Sequence, residues 1–143
     1  MTRFGHVLAV VLLAAAADAA AADAARGRAL FEGGAALPAR VHGQDFALPA
    51  QASRCVNCHV PAAAPSADAS AVATGAPPLT AAALSTPARR RGGPPSRYDA
   101  ASLCTLLRSG VDPAHVMIQR TMPRYQISDT DCQALWLHLL ERR

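Results

Sequence analysis

The 143-residue chain contains no lysine; all 14 of its basic residues are arginine, against 10 acidic residues, for a formal charge of +4. An arginine-only surface is what GC-rich codon usage writes onto a solvated face. It is equally a positive face that steers acidic protein partners into brief, salt-sensitive encounters. Aromatic residues are scarce as well, with three Phe, two Tyr and one Trp. Hydrophobic residues make up 51% of the chain, yet 34 of them are alanine. So little bulky apolar material implies that the polypeptide alone folds poorly and that a bound group completes its interior. No apolar run reaches the roughly 20 residues that a membrane-spanning helix needs, because Asp18 and Asp23 interrupt the first one. Internal repeats and β-rich stretches are also missing.

The chain starts with Arg3, an apolar run over 7–17, and then Ala-x-Ala at Ala17-Asp18-Ala19 and Ala22-Asp23-Ala24. A charged start, a short apolar segment and a small-residue exit are the parts of a secretory signal peptide. The expected division is a signal peptide over 1–24 and one domain over 25–143, long enough for one small domain and too short for two. Export to the periplasm takes the protein away from nucleic acid, which is therefore not an expected partner.

Five residues, Cys55-Val56-Asn57-Cys58-His59, carry the chemistry. Cys-x-x-Cys-His is the attachment motif for c-type haem: two thiols add to the vinyl groups on one edge of the porphyrin, and the next residue's imidazole reaches the iron. A thioredoxin-like dithiol or half a zinc knuckle would use the cysteines without needing His59. Export and haem attachment agree, because c-type maturation occurs outside the bacterial cytoplasm. The sequence holds one such motif, so one haem c is expected.

With His59 proximal, function turns on the opposite side of the iron, where a strong second ligand makes a carrier and a vacancy makes a sensor or enzyme. Met122 is the candidate, because Pro123 restricts it to extended backbone and so presents the thioether from a loop. Met117 reads as core filler. His42 reads as a turn residue, His115 as part of a short surface helix after Asp112-Pro113, and His138 as a partly buried structural residue.

A first helix is expected over 24–31, with Gly27 and Phe31 on one face and Gly33-Gly34 ending it; a glycine inside a helix implies close approach by another. Residues 35–54 read as extended segments and turns. Residues 61–76 and 87–97 read as flexible loops, and one of Arg89, Arg90 and Arg91 is a candidate partner for a haem propionate. A second helix is expected over 99–109, capped by Asp99 and stopped by Gly110, with Leu103, Cys104 and Leu107 as its apolar stripe. The last helix starts at the Ser128-x-x-Asp131 box, with Ile127 stapled onto Cys132, and with Cys132, Leu135, Trp136 and Leu139 on one face.

Together, CVNCH, then Ala76-Pro77-Pro78-Leu79, then MPRYQISDTDCQALWLHLL resembles a class I monohaem cytochrome c with His/Met ligation, over most of 25–143. The resemblance implies an all-α fold of about three to five short helices wrapped around one covalently attached haem. Cys55 and Cys58 would form the thioethers, and His59 and Met122 would be the axial ligands. Gly27 and Phe31 would cross the C-terminal helix, and Pro77 would lend its carbonyl to the proximal histidine, fixing the imidazole and raising its basicity. His138 stands where the family often has tyrosine.

Cys104 and Cys132 lie outside the haem motif. In an exported protein such a leftover pair suggests a disulfide, worth about 3 kcal/mol and bracing the methionine loop between its ends. Two buried thiols, or a zinc site shared with Cys55 and Cys58, are the competing readings. The expected function is electron transfer without catalysis or a small-molecule substrate, between a donor dehydrogenase and an acceptor oxidase or membrane complex. A haem sensor or enzyme subunit with a labile sixth ligand is the alternative, and a zinc-binding module the third.

Overall fold

The computed structural model describes residues 21–59 and 76–143, so most of the expected signal peptide and nearly all of the 61–76 loop lie outside the described residues. The described residues are mostly helical. Residues 21–32 form α1, reaching three residues upstream of the expected start. It stops where Gly33 turns left-handed, with φ of 85°, and where the Gly33 and Ala35 amides both donate to the Ala29 carbonyl at 3.0 Å.

Among the described residues four two-residue strands follow in chain order: β1 (Ala39–Arg40), β2 (Ala88–Arg89), β3 (Pro95–Ser96) and β4 (Arg124–Tyr125). β1 pairs antiparallel with β4, Ala39 opposite Tyr125, and β2 with β3, Ala88 opposite Ser96. These pairs correct the strictly all-α expectation. Long connecting segments that pack on a core need partners for their backbone groups, and here they take them from one another.

The segment 87–97, expected to be a flexible loop, is a pinned hairpin. Arg90 donates to the Ala83 carbonyl at 2.6 Å and to that of Ser96, and its guanidinium lies 5.1 Å from the centre of the Tyr98 ring. Both the hydrogen bonds and the stack need a planar fork, so the arginine run is structural here. A short helix the sequence reading did not anticipate, α2 (Ala81–Ser85), precedes it, capped by Thr80 accepting from the Ala83 amide at 3.2 Å and ended at Thr86-Pro87.

α3 (Ala100–Ser109) and α4 (Asp129–Glu141) have the expected starts. Asp99 and Ser102 complete a reciprocal capping box on α3, and the Ser128 hydroxyl accepts from the Asp131 amide on α4. The Asp131 carboxylate turns to α1, where Arg26 Nε donates to it at 2.8 Å and holds its carboxyl below the usual carboxylate range. Leu103, Leu106 and Leu107 of α3 and Leu135 and Leu139 of α4 are buried in one core with Leu30 and Phe31 of α1.

α1 crosses α4 without a side chain between them: a Cβ placed on Gly27 would sit 2.0 Å from the Ala134 carbonyl oxygen. The fold therefore clamps the two ends of the described chain onto each other. The segments between them, including Cys55–His59 and Met122, pack around that crossing.

Candidate functional site

The chain winds into the motif through residues 49–53, where the Ala52 and Ser53 amides donate to the Pro49 carbonyl at 2.9 and 3.2 Å. A 3-10 turn, Cys55–Asn57, follows. The Cys58 and His59 amides converge on the Cys55 carbonyl at 3.2 and 2.9 Å, so one turn of chain gathers both thiols and the imidazole. Asn57 braces the turn by donating its side-chain amide to the Gln51 carbonyl at 2.7 Å. Cys55 is buried and Cys58 exposed. Burial pushes the Cys55 thiol up to about 11, opposed by the Tyr125 hydroxyl beside it. That hydroxyl donates to the Ser53 carbonyl at 2.9 Å, and burial raises its own pKa.

His59 is 6% exposed, and its Nδ1 lies 2.8 Å from the Pro77 carbonyl oxygen. A carbonyl only accepts, so Nδ1 carries the proton and Nε2 the lone pair. Burial also lowers the imidazole pKa. The ring is therefore held as the neutral tautomer whose Nε2 can bind a metal.

Arg142, the residue after α4, closes the motif from behind. Its Nη2 donates to the His59 carbonyl at 3.3 Å and its Nε to the Leu79 carbonyl at 3.1 Å. Its guanidinium stacks 4.1 Å from the centre of the Phe31 ring.

Met122 is half-buried and packs on the core together with Leu48, Val56, Leu79 and Trp136. The loop that carries it is tied at several points. Its own carbonyl accepts from Arg124, whose guanidinium lies across Gly110, where a Cβ would approach within 2.2 Å. Gly110 has φ of 78°, the left-handed conformation that favours glycine at the end of α3. Upstream, Asp112 is 3% exposed and accepts from Arg91 at 2.6 Å and from the Ala114 and Val116 amides at 2.9 and 2.8 Å.

Two expectations fail in this loop. His115 sits in a turn with φ of 59° instead of on a helix, because Asp112 uses its side chain to satisfy the amides that a helix would have turned inward. Met117 is 52% exposed, with its sulfur 3.9 Å from Arg124 Nη2, and is not core filler.

At the loop's far ends Cys104 and Cys132 are joined in a disulfide, with their Cα atoms 5.5 Å apart. Arg108 reinforces the tie, donating to the Ile127 carbonyl at 2.6 Å and to Asp129 at 2.8 Å. With two of the four cysteines joined, a four-cysteine zinc site is not available. Among the described residues no group of three or more His, Cys, Asp or Glu side chains is arranged to hold a metal ion.

The structure thus brings Cys55, Cys58, His59 and Pro77 to one place, sets Met122 in the half-buried apolar rim over the same core, and links Cys104 to Cys132. Arg91 is committed to Asp112 and Arg90 to the hairpin, instead of standing ready for an outside anion. Sequence reading missed Asp112, Arg124 and Arg142. Asp112 before Pro113 marked only the start of a short helix, and the partners of Arg124 and Arg142 are set by the folded chain.

No protein-family model, curated protein or solved structure matches the chain. Among the described residues no helix is long and apolar enough to cross a membrane.

Proposed function

We propose that this protein is an exported, periplasmic electron carrier of the class I monohaem cytochrome c type, with haem bound at Cys55 and Cys58 and its iron held by His59 and Met122. The observation that carries the reading is the geometry at His59. A Cys-x-x-Cys-His segment wound into one turn, with the histidine Nδ1 at 2.8 Å from the Pro77 carbonyl, leaves a neutral imidazole with its Nε2 lone pair available. A dithiol makes no use of that arrangement.

The side chains packed against the core also suit the group's polarity. Leu48, Val56, Leu79, Met122 and Trp136 are half-buried apolar residues resting on the core, a surface that a flat apolar macrocycle would complete. Cys55 and Cys58 would hold the group, each thiol adding its S–H across a vinyl double bond so that one C–S and one C–H bond form and the proton is retained on carbon. Bound haem supplies one reversible electron between ferrous and ferric iron. His59 keeps its ring orientation through Pro77. Met122 offers a soft thioether, which favours the reduced iron and so a higher potential than a second histidine would give. The arginine surface suits an acidic donor dehydrogenase and an acidic acceptor oxidase or membrane complex.

Co-expression with a haem-attachment system, followed by a pyridine haemochrome assay and ferric absorption spectra, tests this. The expected result is one covalent haem per chain and a methionine-to-iron charge-transfer band that Met122→Ala abolishes. A chain that takes no haem sinks the reading, and a high-spin ferric spectrum moves it to a sensor or enzyme with a labile ligand.

A further inference from the structure

We propose that Arg142 is the positioning residue for the His59 imidazole, tying together with a single guanidinium the two segments that carry the His59–Pro77 hydrogen bond; this rests on the proposed haem-binding role of His59. The bond joins two segments that are far apart in sequence. One is the end of the haem motif, whose His59 carbonyl accepts from Arg142 Nη2 at 3.3 Å. The other is the Pro77-Pro78-Leu79 segment, whose Leu79 carbonyl accepts from Arg142 Nε at 3.1 Å. Two N–H groups of one rigid fork thus set the spacing between the donor and acceptor segments.

The fork itself is fixed from three sides. Its plane rests on the Phe31 ring of α1 at 4.1 Å. Its residue's amide closes α4 on the Leu139 carbonyl at 3.3 Å, and its carbonyl accepts from the Ala81 amide at 3.0 Å, at the start of α2. A lysine has the charge but neither the fork nor the stacking plane, so it cannot bridge the two carbonyls in the same way. The helix crossing is in this way transmitted to the imidazole through one side chain.

The test uses the full-length, haem-loaded, ferrous protein and reads solvent exchange of the His59 Nδ1 proton by NMR, with the α4 amides of Leu135 and Leu139 as internal references. Arg142→Gln and Arg142→Lys should each speed Nδ1–H exchange by at least about tenfold while those amides change little. Arg26→Gln is the control: it removes the other α1–α4 arginine contact, to Asp131, without touching His59 or Leu79, and should leave Nδ1–H exchange as in the parent. Unchanged exchange in both Arg142 variants overturns the proposal, as does a rise shared equally by the α4 amides, which would mark general loosening. Absence of covalent haem in the parent protein is a different result, and it removes the proposed function itself.

Discussion

Gly27→Ala isolates the contact on which the whole arrangement rests. The new Cβ would lie 2.0 Å from the Ala134 carbonyl oxygen, 2.6 Å from its carbon and 2.8 Å from His138 Cβ, all of them backbone or backbone-proximal atoms that no rotamer change moves aside. Restoring an ordinary contact requires the two helices to separate by roughly 1.4 Å. A gap of that order forfeits much of the dispersion energy across a packed interface, and overpacking of this kind costs about 1–3 kcal/mol. The fully buried Leu30, Phe31, Leu135 and Leu139 lie at or beside this crossing, which places the loss toward the upper end. Alanine returns about 0.5–1 kcal/mol of helix propensity, leaving a net destabilisation of about 2 kcal/mol.

Denaturant titration of the haem-loaded protein, followed by far-UV circular dichroism, measures this. Gly34→Ala serves as the counterpart, since its Cβ would meet nothing closer than 3.7 Å. It should be neutral or slightly stabilising. A Gly27→Ala protein as stable as its parent refutes the close crossing and everything argued from it.

Asp112→Asn keeps an acceptor for the Ala114 and Val116 amides but sets an amide donor against Arg91, which should cost about 2–3 kcal/mol in the same titration. If Met122 holds the iron as proposed, loosening its loop should also weaken the methionine-to-iron band. His138 is buried with both ring nitrogens lacking a hydrogen-bond partner, and burial, with Arg142 and Arg28 nearby, lowers its pKa below 6.5 against the opposing pull of Glu141 and Glu32. The unfolded chain therefore takes up a proton near pH 6.5 while the folded one resists it, so this residue's stability contribution is full above that pH and falls as the pH drops below it. His138→Leu should add about 1 kcal/mol at pH 7 and flatten the acid-side slope of a stability-versus-pH curve; an unchanged slope would place the titration elsewhere.

The two strongest helices were legible because their signals are local: Asp99 and Gly110 bracket α3, and Ser128 opens α4 ahead of an apolar stripe. Gly27 was readable for a similar reason, since a glycine inside a helix needs a neighbour to explain it. The spacing of Cys55 to His59 suggested the chemistry proposed above, and the chain does wind those residues into one turn. The 87–97 hairpin was not legible, because what orders it is Arg90 reaching Ala83 and Ser96 and Arg91 reaching Asp112, partners that only the folded chain brings near. His115 was misread because Asp112 outcompeted helix formation through its own side chain. Arg142 was not legible either, because its carbonyl partners lie 63 and 83 positions away along the chain.

The missing lysine acquires a structural meaning from these contacts. Arg90, Arg108 and Arg142 each turn back onto main-chain carbonyls of other segments, Arg124 turns onto that of Met122 in its own loop, and Arg90 and Arg142 also stack on the chain's few aromatic rings. A chain short of bulky side chains has few ways to pin long connecting segments by apolar packing. A planar cation that reaches two carbonyls, or a carbonyl and a ring, supplies part of that function, and an ammonium on a flexible stem does not. Codon usage alone predicts no difference among the arginines, whereas pinning predicts two classes. Arg90→Lys, Arg108→Lys and Arg124→Lys should each cost about 1–2 kcal/mol in denaturant titration. Exposed Arg89, Arg97 and Arg120 should accept lysine within about 0.5 kcal/mol. If all six substitutions prove equally silent, the arginines are a compositional habit and the loops around the motif are held by something else.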